Sequence, residues 1–87
     1  MSPKPLTSAQ IRAARALIRW SALQLAKETE VGVTTIRRAE LTASETKLTR
    51  VNDQAIRRVL EAAGVEFIDE NGGGAGVRLR CAKQKQS

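Results

Sequence analysis

The stretch Ser21–Glu40, SALQLAKETEVGVTTIRRAE, decides how this chain folds. Its pattern is that of two short helices joined by a tight turn. Leu25 and Ala26 sit together on the first helix, Val31 falls in the turn, and Ile36 and Ala39 repeat at i, i+3 on the second. These apolar positions let two helices cross steeply around a small shared core. The exposed face of the second helix then carries Val33, Thr34, Arg37 and Arg38.

That layout is a helix-turn-helix, whose second helix enters the major groove of DNA. Upstream, Met1 to Pro5 reads as a loose arm because its prolines discourage helix, so residues 1–6 are expected to be flexible. Thr7-Ser8-Ala9-Gln10 fits a capping box, with Leu6 and Ile11 as the hydrophobic staple around it. Ile11, Ala14, Leu17 and Ile18 make the apolar stripe of this first helix, and Arg12, Arg15 and Arg19 line another face. That basic stripe suits either a DNA backbone or solvent. Ser21-Ala22-Leu23-Gln24 reads as a second capping box, stapled by Trp20 and Leu25.

The recognition helix is expected over about Val33 to Leu41, followed by a polar loop to Leu48. In that loop Thr42, Ser44, Thr46 and Lys47, with Arg50 beyond, offer hydroxyls and cations suited to phosphates. A fourth helix, from about Arg50 to Ala63, has Thr49 as N-cap and Gly64 as its stop. Its apolar face is Val51, Ala55, Ile56, Val59, Leu60 and Ala63, which leaves Arg57 and Arg58 to solvent. The period then changes. Val65–Asp69 and Val77–Cys81 have strand character around a glycine-rich turn, so residues 65–81 read as a β-hairpin. A lone hairpin is marginal in water, so this one should pack on the helices or join a second subunit as a dimerisation element. The glycine run lacks the GK[ST] ending of a phosphate loop and precedes no helix. Residues 82–87 read as a basic disordered tail.

At 87 residues, with one Trp and one Phe, the chain is a single domain with a thin core, for which oligomerisation would add burial. A net charge of +6 points to a polyanionic partner, double-stranded DNA before a membrane. One cysteine allows no internal disulfide, no apolar run suits a signal peptide or a bilayer span, and a cytoplasmic location is expected. Histidine and tyrosine are missing and no carboxylate pair marks a pocket, so catalysis is not expected, nor any cofactor or metal.

Leu25-Ala26, Val31, Thr35-Ile36 and Glu40, with the Trp20-Ser21 lead-in, resemble the core signature of the lambda-repressor/Cro (XRE) family of transcription regulators. The likeness spans Thr7 to about Gly64 without insertion. It implies a mainly α fold, a four-helix helix-turn-helix domain of lambda-repressor type, here with a C-terminal β-hairpin where the family often has a fifth helix. Two positions depart from the pattern. Gly32 stands where Ser or Thr usually caps the recognition helix, a loss of only a few tenths of a kcal/mol. Glu30 stands where a turn glycine is usual, and a positive φ disfavours a Cβ, so a local adjustment of the turn is expected.

The resemblance also assigns roles. Arg38 matches a base-contacting position and Arg37 one that reaches base edge or backbone. An arginine bidentate to guanine is worth about 1–3 kcal/mol of discrimination. Val33 and Thr34, at the leading end of the helix, can pack methyls on thymine, and Thr34 can also hydrogen-bond. Ser21, Gln24, Thr35, Lys47 and Arg50 are the expected backbone contacts, and Glu40 a structural salt bridge or cap. The expected function is a sequence-specific regulator, repressor before activator, bound as a homodimer to an inverted-repeat operator. A protein partner, toxin or polymerase, stays open, and the other readings are an antitoxin, a non-specific architectural DNA binder and an RNA-binding module.

Overall fold

Three threonine or serine caps set the helix starts. In the computed structural model, which describes residues 4–42, 45–69 and 72–80, the order is α1 Ser8–Ile18, α2 Ala22–Thr29, α3 Val33–Glu40, α4 Arg50–Ala62, β1 Val65–Ile68 and β2 Gly76–Leu79. The protein is mainly helical, with a two-stranded antiparallel hairpin after the fourth helix. Thr7, Ser21 and Thr49 each accept a hydrogen bond from the backbone N–H three residues on, as side-chain caps do. Only Thr7 completes the reciprocal box, through Gln10. The second box expected at Ser21 is half formed, because the Gln24 amide turns along the helix and donates to Glu28 at 2.8 Å.

The core joins every element. Leu6, Ile11, Leu25, Ile36, Ile56, Leu60 and Val65 are fully buried, with Trp20, Val33, Val59, Phe67 and Val77 packed around them. α2 packs on α3 and α4, α1 packs on α3, and the hairpin lies over α1 and α4. Leu6, placed in a flexible arm by the sequence reading, is core, and its N–H donates to the buried Asp53 carboxylate at 3.0 Å. The Lys4 carbonyl is held as well, by Arg57 at 2.7 Å. Residues 1–3, Ser44, Cys81 and the tail 82–87 lie outside the described residues. Among the described residues no helix is long and apolar enough to cross a membrane.

The apolar face of α4 is narrower than its sequence suggests. Ile56 and Leu60 are buried and Asp53 continues their line, while Val51 is 74% exposed and Ala63 is also exposed. Arg57, expected in solvent, is folded inward. Its guanidinium lies 5.3 Å from the Phe67 ring centroid, a cation–π contact across the helix–hairpin seam.

The turn between α2 and α3 does not relax around Glu30. Glu30 keeps the left-handed conformation, φ 64 and ψ 19, and closes α2 through its N–H to Ala26. Thr29 braces the turn, its hydroxyl donating to the Leu25 carbonyl at 2.7 Å and accepting from the Val31 N–H at 3.2 Å. A side chain in this region strains the backbone by roughly 1–2 kcal/mol, of which glycine's greater freedom when unfolded returns a part. Glu30→Gly should therefore stabilise the fold by about 0.5–1 kcal/mol, a rise of several degrees in a thermal melt followed by circular dichroism.

Beside the apolar packing of Val65, Phe67 and Val77, one side chain of α1 ties down both strands of the hairpin. Register pairs Val65 with Leu79, Glu66 with Arg78, Phe67 with Val77 and Ile68 with Gly76. Gln10, the N3 residue of α1, accepts from Thr7 N–H and donates Nε2 to the carbonyls of both Ile68 and Gly76 at 3.2 and 3.0 Å. Gln10→Glu keeps the capping box but turns a carboxylate oxygen onto two carbonyl oxygens. Losing two bonds weakens docking by about 2 kcal/mol, and chymotryptic cleavage at Phe67 should speed up by roughly thirty-fold. On the outer face Arg78 binds Glu66 at 3.1 Å and, by hydrogen bond first and charge second, holds its carboxyl below the ordinary range. A depressed carboxylate contributes above its unfolded pKa and loses that contribution as pH falls through the folded one. For so exposed a pair the contribution is small.

Candidate nucleic-acid interface

α3 is built to present one face. Ile36 and Ala39 pin it to the core, and with 3.6 residues per turn Thr34, Arg37 and Arg38 then point outward, all exposed. Val33 is half-buried and packs against the core, so only part of it reaches that surface. Thr35 is likewise half-buried. The N-cap position belongs to Gly32, which makes no side-chain cap, so the first N–H groups of α3 have no side-chain acceptor there.

The other end of α3 is held from α1. Arg15 forms a fork on Glu40, Nε and Nη2 each donating to a carboxylate oxygen at 2.7 Å, and its Nη1 donates to the Trp20 carbonyl at 2.9 Å. Side-chain exposures of 22% for Arg15 and 8% for Glu40 put this pair largely out of water. Hydrogen bonding to Glu40 raises the Arg15 guanidinium above its ordinary value against the desolvation that opposes it. Arg12 donates to the Glu40 carbonyl, and Ser8, fully buried, donates its hydroxyl to the Ala39 carbonyl at 2.6 Å. Thr42 also bonds Ala39, at 3.2 Å, and contacts Ser8. These groups satisfy carbonyls that the end of a helix leaves unpaired.

This corrects two sequence expectations. Arg15 belongs to neither a DNA-facing nor a solvated stripe, and Arg12, though exposed, also turns its guanidinium to the end of α3. Thr42 and Thr46 do not offer their hydroxyls outward. Thr42 is turned to Ala39, and buried Thr46 accepts from the Leu48 N–H at 3.1 Å. Glu40 has the structural salt bridge that the resemblance implies, to Arg15, and among the described residues neither Arg37 nor Arg38 forms one.

The expected contact residues lie around α3 in two hollows and one exposed row. Ser21, Gln24 and Val33 line a hollow between α2 and α3, together with Lys27 and the exposed Leu23. Thr35, Arg38 and Lys47 line a second, between α3 and the start of α4, with Thr49 and Asn52. Lys47 is exposed and takes a left-handed backbone, φ 63, at the approach to α4. Arg50 is exposed as the first residue of α4. Two expected contacts already use their side chains within the protein: Gln24 donates to Glu28, and the Ser21 hydroxyl accepts from the Gln24 N–H as the cap of α2. Asn52, an amide on the rim of the second hollow, was passed over in the sequence. Its spacing of three from the Thr49 cap was the available signal.

Among the described residues no group of histidine, cysteine, aspartate or glutamate is arranged to hold a metal ion. No protein-family model and no curated protein matches the chain.

Proposed function

We propose that this chain is a sequence-specific DNA-binding regulator of the lambda-repressor/Cro type, with α3 as the recognition helix. The observation that carries the reading is the row Thr34, Arg37 and Arg38, exposed on a helix whose only carboxylate is already captured by Arg15. Two guanidinium groups in such a row, without salt bridges among the described residues, suit guanine O6 and N7 in the major groove. Lys47 and Arg50 to one side, and Ser21 to the other, suit the phosphates that fix the register of the helix. The net charge of +6 supplies long-range attraction to the duplex.

The protein acts as a homodimer on an inverted repeat, whose half-sites fall about one helical turn or a small multiple apart. Blocking polymerase needs no further part, so repression is the simplest mode. Selection from random duplex DNA at near-physiological salt tests this. An inverted repeat among the recovered sites is the expected outcome. Salt-sensitive binding without any recovered motif would replace this reading with an architectural one.

A further inference from the structure

The hairpin ends in a strand whose outer edge is open. Arg80 N–H bonds the Gly64 carbonyl at 2.7 Å, and with the register this makes 64/80, 66/78 and 68/76 the hydrogen-bonded pairs. The N–H and C=O groups of Val77 and Leu79 therefore point away from β1. Among the described residues they make no bond to another element. Leu79 shares the inner face with its partner Val65, which is fully buried, yet Leu79 itself is 48% exposed. Arg78 and Arg80 alternate on the other face.

A second copy of β2 does not fit this edge. Antiparallel pairing about a two-fold axis must match Val77 and Leu79 with each other or with themselves. Centred on Arg78, it sets Arg78 against its own counterpart. Centred on Leu79, it sets Arg78 against Arg80 twice. Like charges directly opposite destabilise a strand pair. Centred on Val77, the ladder stops at Ala75, because Gly74 has φ +85, and it sets only Gly76 against Arg78 and Ala75 against Leu79, which leaves the apolar Leu79 poorly covered.

We propose that the edge of β2 receives an extended segment of a different protein, acidic at every second residue and apolar between, as a third strand. Its backbone would meet the free groups of Val77 and Leu79. Its carboxylates would face Arg80, which among the described residues bonds only the neutral Glu61 carbonyl at 2.8 Å, and next to it Arg78, which would share its guanidinium between Glu66 and the incoming strand. Its apolar residues would cover Leu79. This inference is independent of the DNA-binding reading, because it uses no residue of α3.

The test is amide-resolved NMR on the full chain with a short capped peptide alternating glutamate and valine. Two controls go with it: a block isomer of the same composition, and a version N-methylated on the edge facing β2. The alternating peptide should protect the Val77 and Leu79 amides and bind about ten-fold more tightly than either control. The double change Arg78→Glu, Arg80→Glu should abolish that binding and create binding of a lysine–valine peptide. Equal binding of the block isomer, no binding at all, or protection of Val77 and Leu79 that grows with protein concentration alone would each overturn the proposal.

Discussion

Glu40→Gln should destabilise the fold by about 2–3 kcal/mol, a loss of roughly ten degrees or more in the thermal midpoint of a domain this small. The glutamine keeps the shape and one acceptor, so the change isolates charge. What it leaves is the Arg15 guanidinium without its counter-ion, in a site where its side chain is 22% exposed. That residual contact with water is why the expected loss sits below the 3–5 kcal/mol typical of a fully buried pair. Pairing Glu40→Leu with Arg15→Met should recover part of the loss, because an apolar pair has no stranded charge. A double-mutant cycle in urea checks both statements. If Glu40→Gln melts with the parent, the fork contributes nothing and α3 is held by Ser8, Arg12 and the core alone.

Arg38→Ala should lower specific affinity for the selected operator by about 10- to 100-fold, the loss of one bidentate base contact, and relax preference at a single base position. Binding to unrelated duplex should change far less. Arg50→Ala gives the contrasting signature. It weakens binding to every sequence alike and makes the salt dependence shallower by up to about one unit of slope. The two variants are best read together in titrations at several salt concentrations. Both side chains are exposed, so neither change should disturb the fold. An Arg38→Ala protein that keeps full operator preference would move the reading head elsewhere on α3, to Thr34 and Arg37.

The helices were legible in the sequence because their signals are local. A capping hydroxyl and the apolar repeat of a helix both act within a few residues, and α1, α2 and α4 begin where Thr7, Ser21 and Thr49 place them. The hairpin was legible for the same reason. What stayed hidden was every polar contact that spans the fold. Arg15 finds Glu40 across 25 residues of chain, Ser8 finds Ala39 across 31 and Leu6 finds Asp53 across 47, and no periodicity announces such meetings. That is why Arg15 read as surface and Leu6 as tail. Val51 and Ala63 failed differently. Each lies at an end of α4, where the helix runs past the elements that could cover it. The exposed row of α3 was readable because the buried positions Ile36 and Ala39 fix by geometry which residues face away.

Gln10 has one amide and two duties. Its oxygen secures the first turn of α1 and its nitrogen clasps the hairpin, so neither can be released without loosening the other. Two residues earlier Ser8 holds the last turn of α3. The start of α1, the hairpin and the end of α3 are thereby linked and should open as one unit, with amides that exchange with deuterium together. A segment that settles on β2 would slow exchange at the far end of α3 without touching it. Occupancy of the hairpin would then brake the breathing of the helix proposed to read DNA.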